Sequence, residues 1–187
     1  MARIVKIKIE PMTEESFAPF GEMMEAKDKP ADERKFFPVN FEADVSTTVN
    51  VIWQPYEGLS FSQMERHFGV TQAFVQLEGS PSVVCAAKPT DFDDPYAIPK
   101  PEDIHAFLID QSKGFSFGRG TWHSLNRFIL SPPGSTFLIL NSNPNPSQIV
   151  EYDEGYGLVY TDLATDTDPK RVEYDGDVVG VTFELAL

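Results

Sequence analysis

Hydrophobic and polar residues alternate from the start of the chain. Val5, Ile7 and Ile9 are interleaved with Lys6 and Lys8, a period of two that predicts a half-buried strand. The period then breaks. Thr13 is a good N-cap, Glu14 and Glu15 suit the positive end of a helix, and Gly21 after Phe20 is a C-terminal stop, so residues 14–20 are expected as one short helix. From about residue 48 to residue 160 the chain breaks into short apolar or alternating runs separated by Gly, Pro, Asn and Asp. Strands are expected near 48–53, 61–68, 71–77, 82–88, 104–109, 115–118, 122–130, 135–141 and 148–152, with turns at Glu78-Gly79-Ser80-Pro81 and Ser131-Pro132-Pro133-Gly134. Short strands at such spacing, with a single helix, predict an all-β sandwich or barrel, and the strand count favours the barrel.

Between these runs lie two loops. Residues 22–46 are charged and contain Pro30 and Pro38, while 89–103 hold four prolines and several Asp; both are expected to be exposed, as loops bordering a barrel mouth often are. The stretch 161–180 is acidic and rich in Asp and Thr, and is expected as a loosely held segment before Val181-Thr182-Phe183-Glu184-Leu185 returns as a last strand. No internal repeat is visible. The 187 residues, 41% hydrophobic with 15 Phe, suit one domain, 1–187, that buries a core without staples.

Charge narrows the partners. Twenty-nine acidic against 15 basic residues give a formal charge of -14, which repels phosphate backbones and anionic headgroups and disfavours nucleic acid and membranes. A small anionic substrate would need local cations, which draws attention to Arg66, Arg119 and Arg127. The single Cys85 sits in the apolar run Ser82–Ala87 and reads as a small core residue. Lys6 and Lys8 interrupt the opening residues, so no signal peptide is expected there, and no apolar run reaches membrane-spanning length. A cytoplasmic protein is the default expectation.

Three histidines, His67, His105 and His123, bound any imidazole chemistry. In an extended Gln63–Phe68 segment, Gln63, Glu65 and His67 share one face and Met64, Arg66 and Phe68 the other. Isolated histidines on half-buried strands are commonly no more than hydrogen-bonded barrel residues. Their surroundings, however, form a pattern. Glu65-Arg66-His67 followed by Gln72-Ala73-Phe74-Val75-Gln76-Leu77-Glu78-Gly79 resembles the first cupin motif, and Gly120-Thr121-Trp122-His123-Ser124-Leu125-Asn126 resembles the second. The resemblance implies inward-facing histidines around a divalent metal. The second His of the first motif is missing and Gln72 stands in the carboxylate's place. Two imidazoles and an amide fall short of the usual three good ligands, so a metal is expected to be held weakly or with the substrate's help.

A narrower resemblance rests on three blocks in order over roughly residues 10–142. They are Met12-Thr13-Glu14-Glu15-Ser16-Phe17-Ala18-Pro19-Phe20-Gly21-Glu22, then Glu65-Arg66-His67 with Thr71-Gln72-Ala73-Phe74, then His105-Ala106-Phe107-Leu108 with Lys113–Phe117 and Arg119-Gly120-Thr121-Trp122-His123. Together they resemble the ureidoglycolate lyase family. That resemblance implies an all-β, cupin-like jelly-roll β-barrel with one short N-terminal helix, forming a homodimer. The implied reaction is cleavage of ureidoglycolate to glyoxylate and urea in allantoin and purine nitrogen degradation, with nickel as the divalent metal and no organic cofactor. Carried over residue by residue, Glu65, His123 and Arg119 are the expected catalytic residues, Glu65 as base or orienting partner and Arg119 as the grip on the carboxylate. His67, Gln72 and His123 are the expected metal ligands, and Arg66, His105, Phe117 and Trp122 the expected substrate contacts. The chain departs from the family pattern, which often has Arg at His105, His near Gly118, Tyr at Phe117 and a second His at Ser124. Two other readings therefore stand beside the lyase: a related cupin acting on another small hydroxy or keto acid, and a non-catalytic cupin binding a small ligand.

Overall fold

The computed structural model describes residues 3–29 and 32–186. In chain order its elements are β1 (Arg3–Pro11), α1 (Glu14–Phe17), β2 (Gly21–Met24), β3 (Ser46–Pro55), β4 (Ser60–Phe61), β5 (Gln63–His67), β6 (Ala73–Gly79) and β7 (Ser82–Ala87). They continue with β8 (His105–Leu108), β9 (Gly114–Phe117), β10 (Trp122–Ser124), β11 (Phe128–Ile129), β12 (Gly134–Asn143), β13 (Ser147–Glu151), β14 (Tyr156–Tyr160), β15 (Lys170–Glu173) and β16 (Val181–Ala186). A larger sheet runs β15-β14-β13-β5-β10-β7-β8-β1-β16-β4, with β11 also on β7, and a smaller one runs β2-β9-β6-β12-β3. This is the expected cupin-like β-barrel: two curled sheets facing each other around an apolar interior.

Aromatic side chains fill the space between the sheets. Phe74, Phe115, Phe117 and Phe137 from the smaller sheet meet Val84, Ala86, Phe107 and Ile129 from the larger one, and Phe17 and Phe20 plug one side. The ring of Phe17 meets Phe107 edge-on at 5.4 Å and Phe115 at 5.9 Å, the geometry that aromatic quadrupoles favour. A second cluster, with Met64, Cys85, Trp122, Tyr152 and Phe183, packs the opposite face of the larger sheet. β7 lies between the two clusters, which explains its unbroken apolar run: all six of its residues are buried.

The helix is shorter than residues 14–20. Thr13 caps it, its side-chain oxygen accepting from Ser16 N–H at 3.0 Å, and it ends at Phe17 because Pro19 has no N–H to give and disfavours helical backbone before it. The expected strand 122–130 divides into β10 and β11, since the Ser124 hydroxyl turns back to the Asn126 carbonyl at 2.8 Å. Residues 161–180 are not the loose segment expected. They contain β15, paired antiparallel with β14, and the loop before it is tied down by its own acids: Asp162 accepts from Asn145 N–H and Thr165 Oγ1, and Asp166 from Thr161. β16 then pairs in parallel with β1. Among the described residues no helix is long and apolar enough to cross a membrane.

Candidate active site in the barrel interior

β5 lies inside the larger sheet between β10 and β13, and strand alternation splits its residues between the two faces. Met64 joins the outer cluster; Glu65 and His67 turn the other way. His123 is the antiparallel partner of Glu65, so sheet register alone sets a carboxylate beside two imidazoles. Glu65 Oε1 lies 3.6 Å from His123 Nδ1 and 4.0 Å from His67 Nε2. The two imidazole centroids are 5.1 Å apart, and all three residues are buried. Phe117 forms one wall, its ring parallel to that of His123 at 4.4 Å.

Hydrogen bonds fix the tautomers. The Ser147 hydroxyl donates to the Asn145 carbonyl at 3.0 Å, so at 2.7 Å it accepts from His67 Nδ1–H. A carbonyl only accepts, so His123 Nδ1–H donates to Ser124 O at 3.2 Å. Each imidazole is thereby left with its lone pair on Nε2. Among the described residues, both Nε2 atoms are buried without a protein partner, as is Gln72 Oε1.

Burial sets the protonation states. Loss of solvent pushes the Glu65 carboxyl up to about 7, opposed by the charge of Arg127. Burial pushes His67 down to about 4, with the nearby Gln72 amide opposing and Arg127 adding to the fall. His123 is held well below the usual imidazole range, first by burial and then by His67. Near neutral pH the pair is neutral and the carboxyl is poised between its two forms.

Unsatisfied acceptors gathered in one buried place suit a cation. One ligand atom each from Glu65, His67 and His123 lies within 4.8 Å of the others, and imidazole nitrogen with carboxylate and amide oxygen suits a borderline divalent metal. These residues therefore fit a metal, and the unpartnered Nε2 and Oε1 atoms are the observation that makes them fit.

The other residues expected from sequence fall elsewhere. Arg66 and Trp122 flank His67 and His123 in sequence, and alternation turns them to the opposite face. The buried Arg66 donates to Gln148 Oε1 at 2.7 and 3.0 Å, to Thr90 Oγ1 at 3.0 Å and to the Asp91 carbonyl at 3.0 Å. It also lies 4.7 Å over the Trp122 ring, whose Nε1–H bonds Thr90 Oγ1 at 3.0 Å. Together the two fasten the loop after β7 to the sheet. Arg119 is 2.7 Å from Asp44 and 3.6 Å from Glu42, two residues of a segment that also reaches Thr71 and Gly69 through backbone N–H groups. His105 is half exposed and pairs with Glu10 at 3.3 Å. Sequence reasoning assigns no role to Ser147, for which no local signal exists. Arg127 stands out in the sequence only as a cation; its apolar neighbours Leu125, Phe128 and Ile129 are the available hint that it is buried.

Residues 4–156 match the family model described as ureidoglycolate lyase. A ureidoglycolate lyase of Azotobacter vinelandii is 30% identical over 134 residues, 63% of this chain and 74% of that protein. One from a Chelativorans species is 29% identical over 79% of this chain and 91% of its own length. One from Brucella abortus biovar 1 is 28% identical over 87% and 99%.

Proposed function

The chain belongs to the ureidoglycolate lyase family, and from that premise we propose that it cleaves ureidoglycolate to glyoxylate and urea in the barrel interior. The observation that carries the reading is the buried Glu65 carboxylate beside two neutral imidazoles whose Nε2 atoms have no protein partner among the described residues. Ureidoglycolate is a carbinolamine. Its breakdown needs the hydroxyl proton removed as the C–N bond breaks, and a proton supplied to the departing urea nitrogen.

Glu65 suits both tasks. Without a metal the carboxyl is raised to about 7, and a cation bound beside it favours the ionised form, the form that accepts a proton. It takes the hydroxyl proton; the oxygen's electron pair forms the carbonyl of glyoxylate, and the C–N pair leaves with nitrogen. The protonated Glu65 then returns its proton to that nitrogen, so a single group serves as base and acid and the proton count closes. His67, Gln72 and His123 would hold a divalent metal, nickel by family likeness, which when bound would supply Lewis acidity toward the substrate's hydroxyl oxygen. Phe117, stacked on His123, holds that imidazole in place and keeps water off one face.

A second reading, a related acid as substrate, is favoured by the same wall. Phe117 brings no hydroxyl, and Ser124 spends its Oγ on the Cys85 N–H and the Asn126 carbonyl, so neither offers a group to a ureido moiety. The test is glyoxylate release from ureidoglycolate above the spontaneous rate, with and without nickel, using His123→Ala as control. Release that vanishes in the variant supports the lyase; none from folded, nickel-treated protein moves the reading to another acid.

The homodimer belongs to the same proposal. The outer face of the smaller sheet exposes Val49, Val51, Trp53 and Leu77, and neither β3 nor β12 contains a charged residue. Chains carrying a formal -14 each repel one another except where an uncharged face lets them meet, and a contiguous exposed apolar face is a mark of such contacts.

A further inference from the structure

Arg127 is a buried cation with no ion-pair partner among the described residues. It is 4% exposed. Its Nε–H donates to Gln54 Oε1 at 3.0 Å, and its backbone N–H donates to the same oxygen at 3.2 Å. Gln54 is itself fixed, its Nε2 donating to Asn126 Oδ1 at 3.0 Å. The guanidinium lies 4.6 Å over the ring of Phe74 and 5.8 Å from that of Phe137. Among the described residues neither terminal nitrogen donates to a protein acceptor, and no carboxylate lies within 4.0 Å; Glu65, the acid nearest in charge, is instead placed against the histidines.

This is an incomplete arrangement in energetic terms. A guanidinium taken from water is costly unless an anion or several acceptors receive its hydrogens, and a neutral amide with two aromatic faces covers only part of it. The fork is nevertheless held rigid by Gln54 and Phe74, which favours capture of a planar anion through two parallel N–H bonds. Arg127 faces the same interior as the proposed reaction centre: the Phe74 ring beneath its guanidinium lies 6.1 Å from Phe117, which stacks on His123 at 4.4 Å.

We propose that Arg127 is the carboxylate-binding residue of the barrel interior, taking the carboxylate of a small 2-hydroxy or 2-oxo acid through N–H bonds from its two free terminal nitrogens, with the acid's C2 oxygen turned toward Glu65 and the histidine pair. The identity of the acid as ureidoglycolate rests on the reading above; the subsite does not. Charge selects a monoanion. Arg66 is spent on the opposite face and Arg119 is paired with Asp44, so a dianion such as phosphate would set its second charge beside Glu65 with no further cation to meet it.

The test is direct binding of glyoxylate by titration calorimetry, with glycolaldehyde, which lacks the carboxylate, as comparator. It uses the wild type, Arg127→Met, which keeps an unbranched side chain over Phe74, and Arg127→Lys, which keeps the charge without the fork; circular dichroism checks folding. Glyoxylate should bind Arg127→Met about 10- to 100-fold more weakly, the range for losing hydrogen bonds to a charged group. Arg127→Lys should fall between, and glycolaldehyde should hardly discriminate. For ureidoglycolate the change should appear mainly in KM. Unchanged glyoxylate affinity in either folded variant, or no glyoxylate binding by the wild type at millimolar concentration, overturns the subsite. If the wild type binds glyoxylate through Arg127 but does not cleave ureidoglycolate, the subsite stands and the lyase reading falls. If the folded variants cleave ureidoglycolate with an unchanged KM, the lyase reading stands and the subsite falls.

Discussion

Binding of a divalent cation to the barrel interior should release protons in an amount and with a pH dependence that identify Glu65 as their source. The carboxyl sits at about 7 and His67 at about 4, with His123 also held low. A nearby cation stabilises the ionised carboxylate and needs neutral imidazoles. At pH 6 the carboxyl is about 90% protonated while the imidazoles are already neutral, so binding should release about 0.9 proton. That figure should fall to about 0.5 at pH 7 and about 0.1 at pH 8. Two exposed histidines at their ordinary value near 6.5 would instead release about 1.5 protons at pH 6. Nickel titrations by calorimetry in two buffers of different ionisation enthalpy measure this number directly. Glu65→Gln should flatten the profile near zero. Release well above one proton at pH 6, or a profile unchanged in Glu65→Gln, would refute the protonation states argued from burial.

Three further outcomes are expected. Ser147→Ala removes the acceptor of the buried His67 Nδ1–H, which should cost about 1–3 kcal/mol in thermal or denaturant melts and weaken nickel binding about 10-fold or more. A variant as stable and as tight as wild type would show that Ser147 does not set the tautomer. Arg66→Met should act on stability: it strands Gln148 Oε1 and the acceptors of the loop after β7, so a loss of about 3 kcal/mol is expected, a fall of roughly 6–12 °C in Tm, and faster proteolysis within 89–103. An unaltered Tm would remove that role. Val51→Lys puts a charge in the exposed outer face of the smaller sheet and should convert the proposed dimer to monomer in sedimentation velocity; a wild type already monomeric at high concentration would remove the proposed interface.

The fold is legible in the sequence where its signals are local. Alternation in β1, the apolar run of β7 and the glycine turns at Gly79 and Gly134, both at positive φ, each follow from a few neighbouring residues. What escapes is tertiary. No window of sequence shows that Lys170–Glu173 will pair with β14, or that an Asp-rich stretch will be ordered by its own carboxylates accepting backbone N–H groups. The helix is overextended when the Gly21 stop is weighed above Pro19, although the proline acts first.

For the interior, sequence reaches the residues whose partners share a strand register and misses those whose partners do not. Glu65 and His67 follow from a period of two, and His123 joins them because β10 pairs with β5. The same period, applied strictly, separates the substrate contacts expected from sequence: if His67 and His123 point inward, their chain neighbours Arg66 and Trp122 point outward. Proximity in the motif conceals this. Arg127 is four residues past His123, beyond the end of its strand, where alternation no longer applies. The turn set by Ser124 and Asn126 brings it back over Phe74. A turn held by side-chain hydrogen bonds has thus aimed a cation into an interior that the strands alone would have left anionic.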